Sequence, residues 1–110
     1  MMNFDITDQQ SYLKLEIIES LRLVTDPELN INIIDLGLVY DVKIDETSKL
    51  ITIEMTLSSR FCPMGESIVA DVKNCIEQHF DNYNTEVAIV WEPVWSYDSI
   101  TEEGKRLLGL

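Results

Sequence analysis

Two alternating runs constrain this chain's fold more than any other feature. LVYDVKI (38–44) sets Leu38, Tyr40, Val42 and Ile44 on one face and Val39, Asp41 and Lys43 on the other. LITIEMTL (50–57) repeats the pattern, with Ile51, Ile53, Met55 and Leu57 opposed to Thr52, Glu54 and Thr56. Side chains alternate across a strand, so each run presents one apolar face. DETS (45–48) joins them as a hairpin, which makes the pair antiparallel. Faces this distinct predict a sheet covered on one side only.

Helices supply the cover. In DQQSYLKLEIIESLRL (8–23) and just beyond it, Leu13, Ile17, Leu21 and Val24 recur at helical spacing, with Ile18 beside them. Thr7 or Asp8 caps the start, Gln10 completes a capping box with Thr7, and the helix stops before Asp26-Pro27. DPELNINIIDLG (26–37) is a connection in which DPE opens a turn and Gly37 suits a positive φ. A second helix follows Cys62-Pro63 and runs to about Phe80, with Ile68, Val72, Ile76 and Phe80 on one stripe. TEVAIVW (85–91) is a third strand. EPVWSYD (92–98) is a loop carrying Trp95 and Tyr97, which read as core lids or as an interaction patch. A last helix spans about 100–108 from a Ser99/Glu102 capping box, ended by Gly109. The order helix-strand-strand-helix-strand-helix predicts a two-layer α+β single domain over 1–110 with a small mixed three-stranded sheet. The helical crossover makes the second and third strands parallel if they are neighbours, and strand order stays open.

The chain carries 20 acidic and 8 basic residues, a net charge of -12. A phosphate backbone or an anionic membrane needs a basic face, so nucleic acid and membrane are excluded as partners. With a polar, acidic N-terminus and no apolar run of spanning length, a cytoplasmic location is expected. Two cysteines make no disulfide framework there.

Cys62 stands directly before Pro63. Proline favours the first position of a helix, which makes Cys62 the N-cap. The helix dipole and unpaired N–H groups there favour a thiolate, the form that binds metal or attacks an electrophile, and Arg60 adds positive charge. Cys75, mid-helix beside Ile76, reads as a small buried apolar residue. His79, the only histidine, sits at the helix end, where it complements the dipole. Thr56, Ser58 and Ser59 lead into Cys62 and serve either a ligand or the turn. Asp26 and Glu28 cap the DPE turn or belong to a site.

Three stretches together carry a resemblance: DPELNINIIDLGLVYDV (26–42), MTLSSRFCPMGESIVADVK (55–73) and VAIVWEPVWSYDSITEEGKRLLG (87–109). They resemble the family that contains the bacterial SufT protein, the eukaryotic cytosolic iron–sulfur assembly component and the phenylacetate-pathway protein PaaD. The resemblance implies a non-enzymatic accessory role in iron–sulfur protein maturation. It carries the family's DPE carboxylates onto Asp26 and Glu28, its threonine onto Thr56 and its cysteine onto Cys62. Ser58 stands where the family has a second threonine, and Arg60-Phe61 where it has a smaller approach to the cysteine. The PaaD branch carries a C-terminal extension with more cysteines, so the SufT-like branch fits better.

On this reading Cys62 is a candidate thiolate ligand for iron or a transient cluster, supported by Asp26, Glu28, Thr56 and Ser58, with no tightly bound cofactor. Clusters are usually held by four cysteines, so one thiolate implies sharing across a homodimer or with a client. The expected partners are the assembly machinery and client apoproteins. Two alternatives stand beside it. One is a protein adaptor with a dispensable thiol. The other is a thiol enzyme, for which no base is suitably placed.

Overall fold

The computed structural model describes residues 9–58 and 65–109. Helix α1 (Gln9–Leu21) leads into two short strands, β1 (Thr25–Asp26) and β2 (Ile31–Asn32). Strands β3 (Val39–Asp45) and β4 (Leu50–Met55), helix α2 (Gly65–His79) and strand β5 (Asn84–Ile89) follow. A 3-10 turn (Tyr97–Ser99) and helix α3 (Glu102–Leu108) complete the order. The main sheet runs β3-β4-β5, antiparallel across the hairpin and parallel across the α2 crossover. This is the α+β architecture expected, with the order now resolved and β4 at the centre.

Helix α1 packs on α2 and β3, and α2 on β5. The core is where Ile17 and Leu21, Ile68 and Ile76, and Ile51 and Ile53 meet, all buried. Each such side chain contributes roughly 1.5–3 kcal/mol by leaving water. The β3–β4 hairpin turns as predicted: Asp45 Oδ1 accepts from the N–H groups of Thr47 and Ser48, at 3.0 and 3.2 Å.

Several boundaries differ from the sequence expectation. Helix α1 stops at Leu21 rather than Leu23. The amides of Arg22, Leu23 and Val24 bond to carbonyls three residues back, which tightens the last turn. Val24 is therefore buried from outside the helix. The proposed Thr7 or Asp8 cap lies outside the described residues. Residues 26–37 are more ordered than a plain connection, because β1 and β2 pair antiparallel around the DPE turn. Asn30 closes that turn at φ 59, and its N–H donates to the Asp26 carbonyl at 2.8 Å. Two-residue strands carry no period for a pattern to reveal.

Tyr40 is a further correction. The β3–β4 register shifts between Val39 and Asp41, leaving Tyr40 opposite no partner. Its hydroxyl donates to the Pro93 carbonyl at 2.7 Å instead of joining Leu38 and Val42 in the core. Strand β5 ends at Ile89, short of Trp91, although the Val90 amide still donates to the Met55 carbonyl. The α3 N-cap is Thr101, whose hydroxyl accepts from the Gly104 amide, and not Ser99, which is taken up in the 3-10 turn. Gly109 ends α3 in the left-handed region, as expected.

Asp35 was not singled out in the sequence, yet it ties these parts together. Its carboxylate is buried and accepts from Asn32 Nδ2 at 2.7 Å, Thr101 Oγ1 at 2.9 Å and the Arg22 guanidinium at 3.0 Å. Its main-chain carbonyl accepts from the Thr101 amide at 2.8 Å. A Cβ at Gly104 would press on that same carbonyl, so α3 can seat against it only with glycine there. Gly37, at φ 73, is held for a similar reason, since a Cβ would collide with the Ser99 carbonyl oxygen.

Burial pushes the Asp35 carboxyl up, but the hydrogen bonds from Asn32, Thr101 and Arg22 outweigh it and hold the group below the ordinary 3.8. A depressed folded pKa adds stability that is complete above the unfolded value. That stability is lost as pH falls through the folded value. Asp35→Ala is expected to cost about 2–3 kcal/mol at pH 7 in urea unfolding. The gap between variant and parent should narrow as pH is lowered below 3.8.

Candidate functional site

The DPE turn is built by Asp26 itself. Its Oδ1 accepts from the N–H groups of Glu28 at 2.8 Å and Leu29 at 3.3 Å, while Pro27 presets the turn. The capping role read from sequence is therefore real, but it uses one carboxylate oxygen. Asp26 is 1 % exposed. Its Oδ2 is buried and, among the described residues, has no hydrogen-bond partner. Leaving a carboxylate oxygen dry and unpaired is costly, so a donor, a cation or a water completes such an atom. Glu28 follows on the exposed side of the same turn.

Thr56 and Ser58 occupy the exit of β4. Thr56 is 1 % exposed, although the strand alternation put it on the polar face with Thr52 and Glu54. Its amide donates to the Leu38 carbonyl at 2.8 Å, and Ser58 is half-buried in a bend. A main-chain relay links this exit to the DPE element. The Ile33 amide donates to the Val24 carbonyl, the Leu38 amide to the Ile33 carbonyl, and the Thr56 amide to the Leu38 carbonyl. Val24 immediately precedes β1, so Asp26 and Thr56 hang from one hydrogen-bonded framework.

Helix α2 starts beside this exit. A Cβ on Gly65 would lie 2.8 Å from Leu57 Cδ1, so a larger residue there would require the Leu57 side chain to shift. Cys62, with Ser59, Arg60, Phe61, Pro63 and Met64, lies outside the described residues, and its N-cap role stays an expectation.

Cys75 is the core residue predicted. It is 9 % exposed and its thiol donates to the Ser20 carbonyl at 3.2 Å. Burial pushes this thiol up from 9.0, away from reactivity, more than the Ser20 contact lowers it. His79 is committed to the helix end, its Nδ1 donating to the Cys75 carbonyl at 2.8 Å. Trp95 is a lid: its indole N–H donates to the Leu36 carbonyl at 2.6 Å and its ring packs on the core. Tyr97, its ring 5.7 Å away, is 62 % exposed.

Among the described residues no three His, Cys, Asp or Glu side chains gather to hold a metal ion, and no helix is long and apolar enough to cross a membrane.

Two checks follow from this geometry. Asp26→Asn keeps an Oδ1 acceptor for the turn, so its stability should stay within about 1 kcal/mol of the parent, while Asp26→Ala should lose about 1–2 kcal/mol in the same denaturant titration. In a Cys62→Ser background at pH 8, iodoacetamide should modify Cys75 at least about tenfold more slowly in the native protein than in urea. Equal rates would mean the Cys75 thiol is accessible.

Residues 14–89 match the family described as iron–sulfur cluster assembly protein. The chain is 44% identical over 98 residues to the Fe-S protein maturation auxiliary factor YitW of Bacillus subtilis, covering 89% of this chain and 95% of that protein. It is 43% identical over 88 residues to the Fe-S protein maturation auxiliary factor SufT of Staphylococcus aureus, covering 80% and 99%. The crystal structure of a domain of unknown function, DUF59, from Bacillus anthracis superposes with a TM-score of 0.86 at 36% identity, over 96% of this chain and 99% of that one.

Proposed function

We infer a function from one premise: this chain belongs to the iron–sulfur cluster assembly protein family. It acts as an accessory factor in the maturation of iron–sulfur proteins. The observation that carries this is its 43–44% identity, over most of its length, to two proteins named as auxiliary factors of that process. The role is non-enzymatic and exercised in the cytoplasm, with the assembly machinery and client apoproteins as partners.

Cys62 is the working thiol. At the helix N-cap position expected from the sequence, its sulfur is favoured as thiolate, a soft ligand for iron. Iron or a cluster is cargo in this scheme, held transiently. A single thiolate leaves coordination positions that a second copy of the chain or the client's own cysteines complete. Such a shared cluster is labile, which suits delivery over storage. Asp26 supports the site through Oδ2, the buried oxygen without a partner among the described residues. Thr56 and Ser58 offer hydroxyls at the strand exit, and Glu28 a second carboxylate on the turn.

Gene deletion and complementation test this. Several iron–sulfur enzymes should lose activity in extracts of a deletion strain. The parent gene should restore them, and Cys62→Ser should not. Asp26→Asn, folded as argued above, should restore them only in part. Full rescue by Cys62→Ser would make the thiol dispensable and turn the reading to a protein adaptor. Anaerobic reconstitution of the purified protein with iron and sulfide should yield a visible chromophore that Cys62→Ser lacks.

A further inference from the structure

The sheet and the loop after β5 enclose an open cleft of about 1040 Å³. Clefts and cavities for small ligands run from roughly 300 to 1,000 Å³, so this one lies at the upper end and has room for a chain segment. Two features set it apart from the rest of an acidic surface.

The first is its apolar floor and wall. Ile34, Val39 and Val90 line it, with Pro93 and Val94 from the loop. Val94 is 73% exposed, and the neighbouring Tyr97 62%. The loop is pinned at both ends of this stretch, by Tyr40 to the Pro93 carbonyl and by Trp95 to the Leu36 carbonyl. Val94 is therefore presented to solvent from a fixed backbone.

The second is the charge. Asp41, Glu54, Glu92 and Asp98 line the cleft, and Lys14 is the one basic residue among the described residues that do so. Glu54 is engaged by Lys43 at 2.6 Å, which leaves Asp41, Glu92 and Asp98 set against Lys14. These carboxylates do not cluster around one point, since no three acidic, cysteine or histidine side chains among the described residues could share a metal ion. Spaced charges on an apolar strip match spaced positive charges on an extended chain. They repel nucleic acid and anionic lipid. A second copy is disfavoured at this cleft, because an acidic face would meet an acidic lining.

We propose that this cleft docks an extended segment of a partner protein in which lysine or arginine alternates with aliphatic residues. The proposal does not rest on the role of Cys62, since it is read by binding alone.

Fluorescence polarisation of a labelled octapeptide alternating lysine and valine tests it, with the glutamate–valine counterpart as comparison. The lysine peptide should bind the full-length protein, weakening steeply between 50 and 300 mM salt, on the order of severalfold. The glutamate peptide should not bind. Glu92→Lys with Asp98→Lys should weaken binding about tenfold, and Val94→Asp should also weaken it. Asp71→Lys with Asp81→Lys, the same change in net charge at exposed positions that do not line the cleft, should leave binding within about twofold. Equal losses from both double variants would overturn the proposal in favour of diffuse acidity, as would equal binding of the two peptides. Sedimentation that finds a dimer broken by Val94→Asp would assign the cleft to a second copy and overturn it as well.

Discussion

The carboxylate of Asp35 is the contact on which the arrangement of this protein turns. It is buried, and it accepts hydrogen bonds from the end of α1, from the β2 strand and from the cap of α3. Of these three donors only Asn32 is close to Asp35 in sequence. A charge removed from water is tolerated only if its lone pairs are filled, and here three donors fill them. The same threonine that donates to Asp35 accepts from the Gly104 amide and so starts α3. One buried group thus fixes where a helix begins and which surface it covers.

From that corner a main-chain relay runs outward. Val24, Ile33, Leu38 and Thr56 are joined amide to carbonyl in succession. The relay connects the DPE turn to the exit of the central strand without any side chain taking part. It holds two segments thirty residues apart in sequence on one framework. Side chains on such a frame inherit its rigidity. The cost is local: Asp26 keeps one oxygen buried without a partner among the described residues, the kind of unsatisfied group a protein retains where a ligand or donor completes it.

Much of the fold was legible because period and punctuation are carried by neighbouring residues. The hairpin of β3 and β4 followed from strict alternation, and the α2 stripe from Ile68, Val72 and Ile76. Cys75 as a core thiol and Gly109 as a helix stop were read from position alone. The misreadings share a cause. Tyr40 sits on a shifted register, which no alternation can announce. Ser99 and Thr101 are both good caps, and the choice between them is made by Asp35. The β1–β2 ladder is too short to leave a pattern.

The motifs DPE, LGLVYDV and CPMG and the alternating strands are local or short-range, so the sequence by itself determined the class of fold, the family and the residue types offered to a site. Only the tertiary structure decided the parallel placement of β5 beside β4, the burial of Thr56, the hub at Asp35 and the acidic, apolar cleft beneath the Pro93 loop. Each of these depends on groups brought together from distant parts of the chain. Their energy comes from excluding water between partners that a linear reading never sets side by side.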